Sequence, residues 1–209
     1  MNYTEFKLKF QHYPLILSRD ILKSQGDPQA LLNQLGRWTN KGLLIQLRKG
    51  VYIFNKSDQK LAPDINYIAN RLYEPSYVSL EYALNFYGII PEKVKDVTSI
   101  TTRKTIVAVN ELGRFIYQHI KPQGFRGFKK MGESLMPFFI AEPEKAVVDF
   151  LYLNLSKFGK ETRDVLEHSF RFQNIEELKE QRLMELGHLF TNKKLTRILK
   201  ALIVWMKEP

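Results

Sequence analysis

The amino-acid sequence predicts an α+β fold in two parts, and three observations lead to that prediction. Hydrophobic residues make up 44% and aromatic residues 12% of the 209-residue chain, which is enough for a packed core. Within residues 1–56, helical spacings run directly into two β-type runs. After the polar, proline-containing stretch 55–64, helices and strands are mixed, and the period turns helical from residue 142 onward. We therefore expect one domain at 1–56 and a second at 57–209.

Residues 1–56 are predicted to begin with three helices. Segments 4–13 and 17–24 suit short helices. The third helix is expected to start with Asp27 as its N-cap and Pro28 at its first position, where the missing N–H costs nothing. Its large apolar side chains recur at a helical spacing and should all face inward: Leu31, Leu32, Leu35 and Trp38.

A β-hairpin is predicted directly after the third helix. Gly42 suits the left-handed conformation that ends a helix. The runs 43–47 (LLIQL) and 51–54 (VYIF) are rich in β-formers, and the Arg-Lys-Gly between them fits a hairpin tip. Three helices followed by a two-stranded wing form the layout of a winged helix-turn-helix, which lays its third helix in the major groove of DNA.

Residues 57–209 are predicted to form a mixed α/β domain that ends in a helical segment. Aromatic-rich helices are expected at 62–73 and 79–90. The expected strands are 97–102, 105–109, 114–120 and 135–141, with a basic, glycine-containing connection at 121–134. The expected later helices are 143–155, 160–170, 174–187 and 191–206.

The charge of the chain is concentrated in its first quarter. The net charge is +10, with 32 Lys and Arg against 22 Asp and Glu. Residues 1–56 hold nine Lys/Arg against three Asp/Glu, which gives +6, whereas 57–142 and 143–209 each give +2. A basic excess favours a polyanionic partner, most often nucleic acid, and its position points to the predicted winged helix.

The candidate DNA contacts follow from this layout. Outward side chains of a recognition helix meet base edges, where Arg pairs with guanine and Asn or Gln with adenine, and a wing tip reaches phosphate or the minor groove. A polar outer helix face and a basic hairpin tip are also common on proteins that bind no DNA. The predicted contacts are Gln29, Asn33, Gln34, Arg37, Lys41, Arg48 and Lys49.

Few residues suggest catalysis. The chain has no cysteine, and no phosphate loop, nucleophile elbow or histidine pair at metal-binding spacing occurs. We expect no enzyme activity, no metal and no cofactor. Because the first residues lack a signal-peptide core and no run approaches membrane length, a soluble cytoplasmic protein is expected.

One segment, AEPEK at 141–145, supports an alternative. Glu142 and Lys145, joined by Asp96 or Glu111, could form a metal-dependent nuclease site. However, a proline after Glu142 looks like the first position of a helix, where acidic residues complement the helix dipole. We favour this structural interpretation.

Three further segments are basic. TTRKT (101–105) and FRGFKK (125–130) could contact nucleic acid by charge and stacking, or could be solvated hairpin residues. The amphipathic segment 191–208 is expected to dock on its own domain, with a helix facing DNA or a partner as the alternative.

Four segments in order resemble one family. LRKGVYIF, EPSYVSLEYALNFYGIIPE, VTSITTRKT and AEPEKAVVDFLYL together are similar to the AbiEi-type antitoxins of bacterial type IV toxin–antitoxin (abortive infection) systems, which act in phage defence. The resemblance covers about residues 10–155. It implies a protein without catalytic activity, whose winged helix binds inverted repeats in its own promoter and represses the operon. It also implies that the second domain opposes a nucleotidyltransferase-type toxin, without a stable complex being required.

Three other functions remain open at the level of sequence. They are a regulator that acts without a toxin, the nuclease described above, and an interaction module whose basic face meets an acidic protein.

Overall fold

Helices and strands are mixed along the chain in the computed structural model, which describes residues 1–22, 28–159 and 162–208. The strands form two sheets, one of three strands and one of six. We call residues 1–54 the first unit and residues 65–208 the second unit.

The first unit contains three helices and three short strands. In chain order these are α1 (Tyr3–Phe10), β1 (Ile16–Leu17), α2 (Ser18–Leu22), α3 (Pro28–Asn40), β2 (Leu44–Arg48) and β3 (Val51–Phe54). The start of α1 is fixed by a capping box, because the side chains of Asn2 and Glu5 each accept a hydrogen bond from the backbone of the other. The predicted N-cap of α3, Asp27, lies outside the described residues, and Pro28 is the first described residue of the helix.

The inner face of α3 is narrower than predicted. Leu31, Leu35 and Trp38 are buried, at positions i, i+4 and i+7 of one helical stripe. The prediction that Leu32 also faces inward is wrong, because its side chain lies beside this stripe and is 39% exposed. Gly42 ends the helical segment with φ +68°, the left-handed conformation that was predicted.

The predicted hairpin is present and belongs to a three-stranded antiparallel sheet of order β1-β3-β2. Its strands pair through Leu44↔Phe54 and Ile45↔Ile53, and the register shifts near the tip. All four residues of β3 are buried. Tyr52 and Phe54 belong to the core of the first unit, whereas Val51 and Ile53 belong to the core of the second. Because successive side chains of a strand point to opposite faces, this one sheet packs against both cores.

The second unit is built on a six-stranded mixed sheet of order β6-β7-β5-β4-β9-β8. Its strands are β4 (Ser76–Val78), β5 (Val97–Thr101), β6 (Ile106–Asn110), β7 (Gly113–His119), β8 (Phe128–Met131) and β9 (Phe138–Ala141). Its first helices are α4 (Ile65–Leu72) and α5 (Leu80–Phe86). The predicted strands therefore correspond to β5, β6, β7 and β9.

Two strands of the second unit were not predicted, and neither was the short strand β1 of the first. The central strand β4 has only three residues, too few to show an alternating pattern. The edge strand β8 lies within 121–134, where a connection was predicted, and that prediction is wrong for Phe128–Met131. Two lysines in β8 are exposed, as is usual for the edge of a sheet.

The later helices are α6 (Pro143–Leu153), α7 (Thr162–Asp164, continued by a π-helical turn to Ser169), α8 (Glu180–His188) and α9 (Lys193–Met206). Of these helices, α6 packs against strand β9, and the others pack against α6 or against one another. Residues 160 and 161, the predicted start of one helix, lie outside the described residues. As predicted, α9 docks on its own unit, and it buries Leu195, Ile198, Leu199 and Leu202. Among the described residues, no helix combines the length and the hydrophobicity that a membrane crossing needs.

Candidate nucleic-acid interface

The outward face of α3 carries three of the predicted base contacts. Gln29, Asn33 and Arg37 are exposed, and their i, i+4, i+8 spacing places them on one stripe opposite the buried leucines. Gln29 Nε2 donates a hydrogen bond to Asn33 Oδ1 over 3.1 Å, which orders the two amides on the helix surface. No ion pair joins Arg37 to any described residue. An amide pair and an unpaired guanidinium on an open helix face suit hydrogen bonding to base edges.

The other two predicted contacts near α3 lie less centrally. Gln34 is half-buried on the flank of the helix. Lys41 is exposed one residue beyond the end of α3, and its backbone N–H donates to the carbonyl oxygen of Arg37 over 3.1 Å. From their positions, Lys41 suits a phosphate contact, and Gln34 is the least accessible of the set.

Two residues of the outward stripe were missed by the sequence analysis. Gly36 and Asn40 are both exposed and lie on the same side of α3 as Asn33. Asn40 could have been found from its i+7 spacing to Asn33. A Cβ atom added to Gly36 would meet nothing within 4 Å, so packing within the described chain does not require glycine there. A glycine in a helix interior is nevertheless destabilising relative to alanine, and at Gly36 it leaves the helix backbone open to the close approach of another molecule.

We expect Gly36→Ala to stabilise the protein and to weaken its binding to DNA. Alanine should raise the free energy of unfolding by about 0.5–1 kcal/mol, because it reduces the conformational freedom of the unfolded chain. If α3 lies in the major groove of DNA, the added methyl group would stand between the helix and the groove. Denaturant unfolding and a DNA-binding titration measure the two effects.

The control for this prediction is Gly159→Ala, whose added Cβ also meets nothing within 4 Å. It lies outside α3 and should leave DNA binding unchanged. A Gly36→Ala protein that gains stability and binds DNA as tightly as the parent would contradict the close approach.

The hairpin tip contacts the second unit. Arg48 Nη1 donates to the carbonyl oxygen of Leu72 at the end of α4 over 2.5 Å. The guanidinium of Arg48 also lies over the ring of Tyr73, 5.0 Å from its centroid. Lys49 is exposed at the tip, and none of the ion pairs among the described residues includes it. Of the two predicted wing contacts, the Lys49 side chain is therefore less constrained, whereas Arg48 is held against the second unit.

A cleft of about 440 Å³ lies between the hairpin tip and the second unit. We call it the arginine cleft. Its charged lining residues come from both units and are Arg19, Arg48, Lys49, Arg71, Glu74 and Arg103. The start of α2 is brought to the hairpin tip by pairing of Leu17 with Val51 and by a hydrogen bond from Ser18 N to Gly50 O over 2.9 Å. Arg19 and Arg71 were not predicted, and Arg103 was noted only as part of the basic segment TTRKT, because nothing in the local sequence indicates that these residues meet.

Neither the family models nor the curated proteins compared with this chain provide a match.

The AEPEK segment is used for structural contacts. Glu142 accepts two hydrogen bonds from Arg182, from Nε over 2.8 Å and from Nη2 over 3.0 Å. Glu144 accepts a hydrogen bond from the backbone N–H of Lys179 over 3.0 Å. As the structural interpretation predicted, Glu142 precedes α6, and Pro143 is the first residue of this helix.

Lys145 lies in a buried polar cluster rather than at a surface. Its ammonium group donates to Asp149, and both side chains are fully buried. Asp149 also accepts hydrogen bonds from Tyr77 Oη over 2.8 Å and from Ser79 Oγ over 2.9 Å. Burial lowers the pKa of Lys145 and raises the pKa of Asp149, since it disfavours both charges.

The other carboxylates considered for a nuclease site have different surroundings. Asp96 accepts a hydrogen bond from Arg114 over 3.0 Å, and Glu111 is exposed in the turn between β6 and β7. Within residues 1–22, 28–159 and 162–208, no group of three or more His, Asp or Glu side chains is arranged to hold a metal ion.

The two short basic segments make different contacts. In FRGFKK, the rings of Phe125 and Phe128 pack on Tyr77, with centroids 5.0 and 4.6 Å from it. In TTRKT, Arg103 lies over Tyr73 at 4.8 Å and lines the arginine cleft. The phenylalanines therefore pack on a buried tyrosine, whereas Arg103 lines an open cleft.

Proposed function

We propose that this protein is a DNA-binding transcriptional repressor that regulates its own operon, with the first unit acting as a winged helix-turn-helix. The observation that supports this proposal most strongly is the outward stripe of α3. It presents amides and an unpaired guanidinium on an open helix face, next to a hairpin with an exposed lysine at its tip. The local excess of positive charge supplies attraction to phosphate, and the outward side chains supply sequence preference.

We further propose that the protein is the antitoxin of a type IV toxin–antitoxin system. The resemblance to AbiEi-type antitoxins supports this part of the proposal. The second unit would then oppose a nucleotidyltransferase-type toxin encoded beside it, and double-stranded DNA with inverted repeats would be the direct partner of the first unit. A regulator that acts without a toxin would use the same first unit.

We expect the purified protein to prefer the DNA immediately upstream of its own gene. The affinity for this duplex should exceed that for a scrambled duplex of equal length by roughly a thousandfold or more, the usual range for specific binding. Affinities for both duplexes are measured at two salt concentrations, because phosphate contacts weaken steeply as salt is raised.

The two salt concentrations separate the possible results. A preference that persists at the higher salt supports a sequence-specific autoregulator. Equal and salt-sensitive binding to both duplexes would contradict the proposal, since it would show attraction to phosphate without recognition of sequence.

A further inference from the structure

The arginine cleft brings together five cationic side chains and one carboxylate. Arg19 comes from α2, Arg48 and Lys49 come from the hairpin tip, and Arg71 and Arg103 come from the second unit. The carboxylate is Glu74, two residues beyond the end of α4. The lining therefore has a formal excess of four positive charges in a concave site.

Glu74 neutralises only part of this charge. Its carboxylate pairs with Arg19 Nη1 over 3.0 Å and with Arg71 Nη1 over 2.8 Å. Burial opposes ionisation of Glu74, but the hydrogen bonds from Arg19 and Arg71 outweigh it and hold the pKa of this carboxyl below its usual value. Glu74 thus occupies the cleft as an anion and joins the two units.

The other two arginines of the cleft have neutral partners. Arg48 donates to the carbonyl oxygen of Leu72, and Arg103 donates to the carbonyl oxygen of Glu74 over 3.1 Å. Both guanidinium groups lie over the ring of Tyr73, with centroid distances of 5.0 and 4.8 Å. Among the described residues, no carboxylate forms an ion pair with Arg48, Lys49 or Arg103. Two positive charges beside one ring raise the electrostatic potential of the cleft, which favours the entry of an anion.

We propose that the arginine cleft is a phosphate-binding site built jointly by the two units. Arginine is suited to phosphate because its planar guanidinium donates two parallel hydrogen bonds to the oxygens of one group. The volume of about 440 Å³ accommodates a phosphate together with the sugar or other group that bears it. Glu74 competes with the phosphate for Arg19 and Arg71, and Arg103 supplies a guanidinium that no carboxylate occupies.

The phosphate has two chemical sources. It is either a phosphodiester of the DNA backbone beside the groove bound by α3, or the phosphate of a free small molecule. The first source rests on the proposed function, because it requires bound DNA. The second does not, and would make the cleft a place where a small phosphorylated ligand fixes the two units relative to each other.

The site is tested on the full chain with Arg103→Gln and Glu74→Gln. Thermal unfolding and calorimetry are measured with sodium phosphate against sodium chloride at equal ionic strength. We expect Arg103→Gln to weaken phosphate binding by roughly tenfold, because a charge-assisted hydrogen bond is lost. We expect Glu74→Gln to tighten it by about fivefold, because a like charge within roughly 4 Å is removed.

The two sources are separated by the salt dependence of binding to duplex DNA. If a backbone phosphate occupies the cleft, Arg103→Gln should lower the slope of log affinity against log salt by about 1. If a free phosphorylated ligand occupies the cleft, Arg103→Gln should weaken phosphate binding and leave this slope unchanged. If Arg103→Gln impairs folding, Arg19→Gln provides the same test with a cleft residue of the first unit.

A matched control is Lys95→Gln, which removes one charge from an exposed position outside the cleft. It should change neither phosphate binding nor the salt slope. The proposal is overturned if the parent protein binds no phosphate and the Arg103→Gln and Arg19→Gln proteins keep the parent's salt slope on DNA. A parent that binds phosphate but shows no preference for its own upstream DNA would contradict the proposed function and leave the phosphate site supported.

Discussion

Replacing Asp149 by alanine is expected to destabilise the protein by about 3–5 kcal/mol, because it leaves the buried ammonium group of Lys145 without its counter-charge. The Tyr77 and Ser79 hydroxyl groups would lose their acceptor in the same step. Few substitutions in the chain should cost as much, since the side chains of Lys145 and Asp149 are both fully buried. Equilibrium unfolding in urea, followed by circular dichroism, measures the loss.

Two further variants separate charge from shape at this cluster. Asp149→Asn keeps an oxygen acceptor for Tyr77 and Ser79 but removes the counter-charge, so its cost should be smaller than that of alanine. The double variant Lys145→Met with Asp149→Leu removes both charges, and it should recover much of the loss, because well-packed apolar residues often replace a buried ion pair without penalty. An Asp149→Ala protein that loses less than about 1 kcal/mol would show that Lys145 finds another partner or releases its proton.

Replacing Arg37 by alanine is expected to weaken binding to the proposed operator, the DNA upstream of the protein's own gene, by about 1–3 kcal/mol, roughly five- to 150-fold, if its guanidinium contacts a guanine. Asn33→Ala should have a similar effect at an adenine. The stronger expectation concerns specificity. Each variant should lose its preference at one base pair of the operator, whereas a lost phosphate contact would weaken binding to all sequences alike. Affinities for a set of single-base operator variants distinguish these two results.

The control for this pair is Lys95→Ala, which removes one exposed charge from the second unit and should leave base preference unchanged. If Arg37→Ala and Asn33→Ala both bind the operator as the parent does, α3 is not the recognition helix.

The same variants test the antitoxin proposal. If the antitoxin proposal is correct, Arg37→Ala should lose repression of the operon yet still restore growth when it is co-expressed with a toxin encoded beside it, because the proposal assigns that activity to the second unit. Growth restored by neither parent nor variant would favour a regulator that acts without a toxin.

The charge distribution and the side-chain contacts both single out basic residues within 1–56. The excess of positive charge in residues 1–56 was visible in the sequence, and the structure places part of it on an open helix face and part in the arginine cleft. Arg37 and Lys49 have no described counter-charge, whereas Arg19 is paired with Glu74. The net charge gives only the number of positive side chains in excess, whereas the contacts of each side chain show which of them lack a counter-charge among the described residues.

The sequence by itself determined the elements that depend on neighbours along the chain. Glycine after the last turn fixed the end of α3, and the β-formers on either side of Arg-Lys-Gly determined the hairpin, because these preferences are local. The outward positions of Gln29, Asn33 and Arg37 followed from helical periodicity. Leu32 was assigned wrongly because periodicity gives the direction of a buried stripe more reliably than its width.

Only the tertiary structure decided the features that depend on residues distant in sequence. Strand β4 is short and has no pattern of its own, and it exists because β5 and β9 pair with it on either side. The two faces of β3 belong to different cores, which no local period can reveal. Arg19, Arg48, Arg71 and Arg103 meet around Glu74 and Tyr73 only when the hairpin tip packs against the end of α4. Such meetings are set by long-range packing, whose free energy depends on the whole fold and not on any one segment.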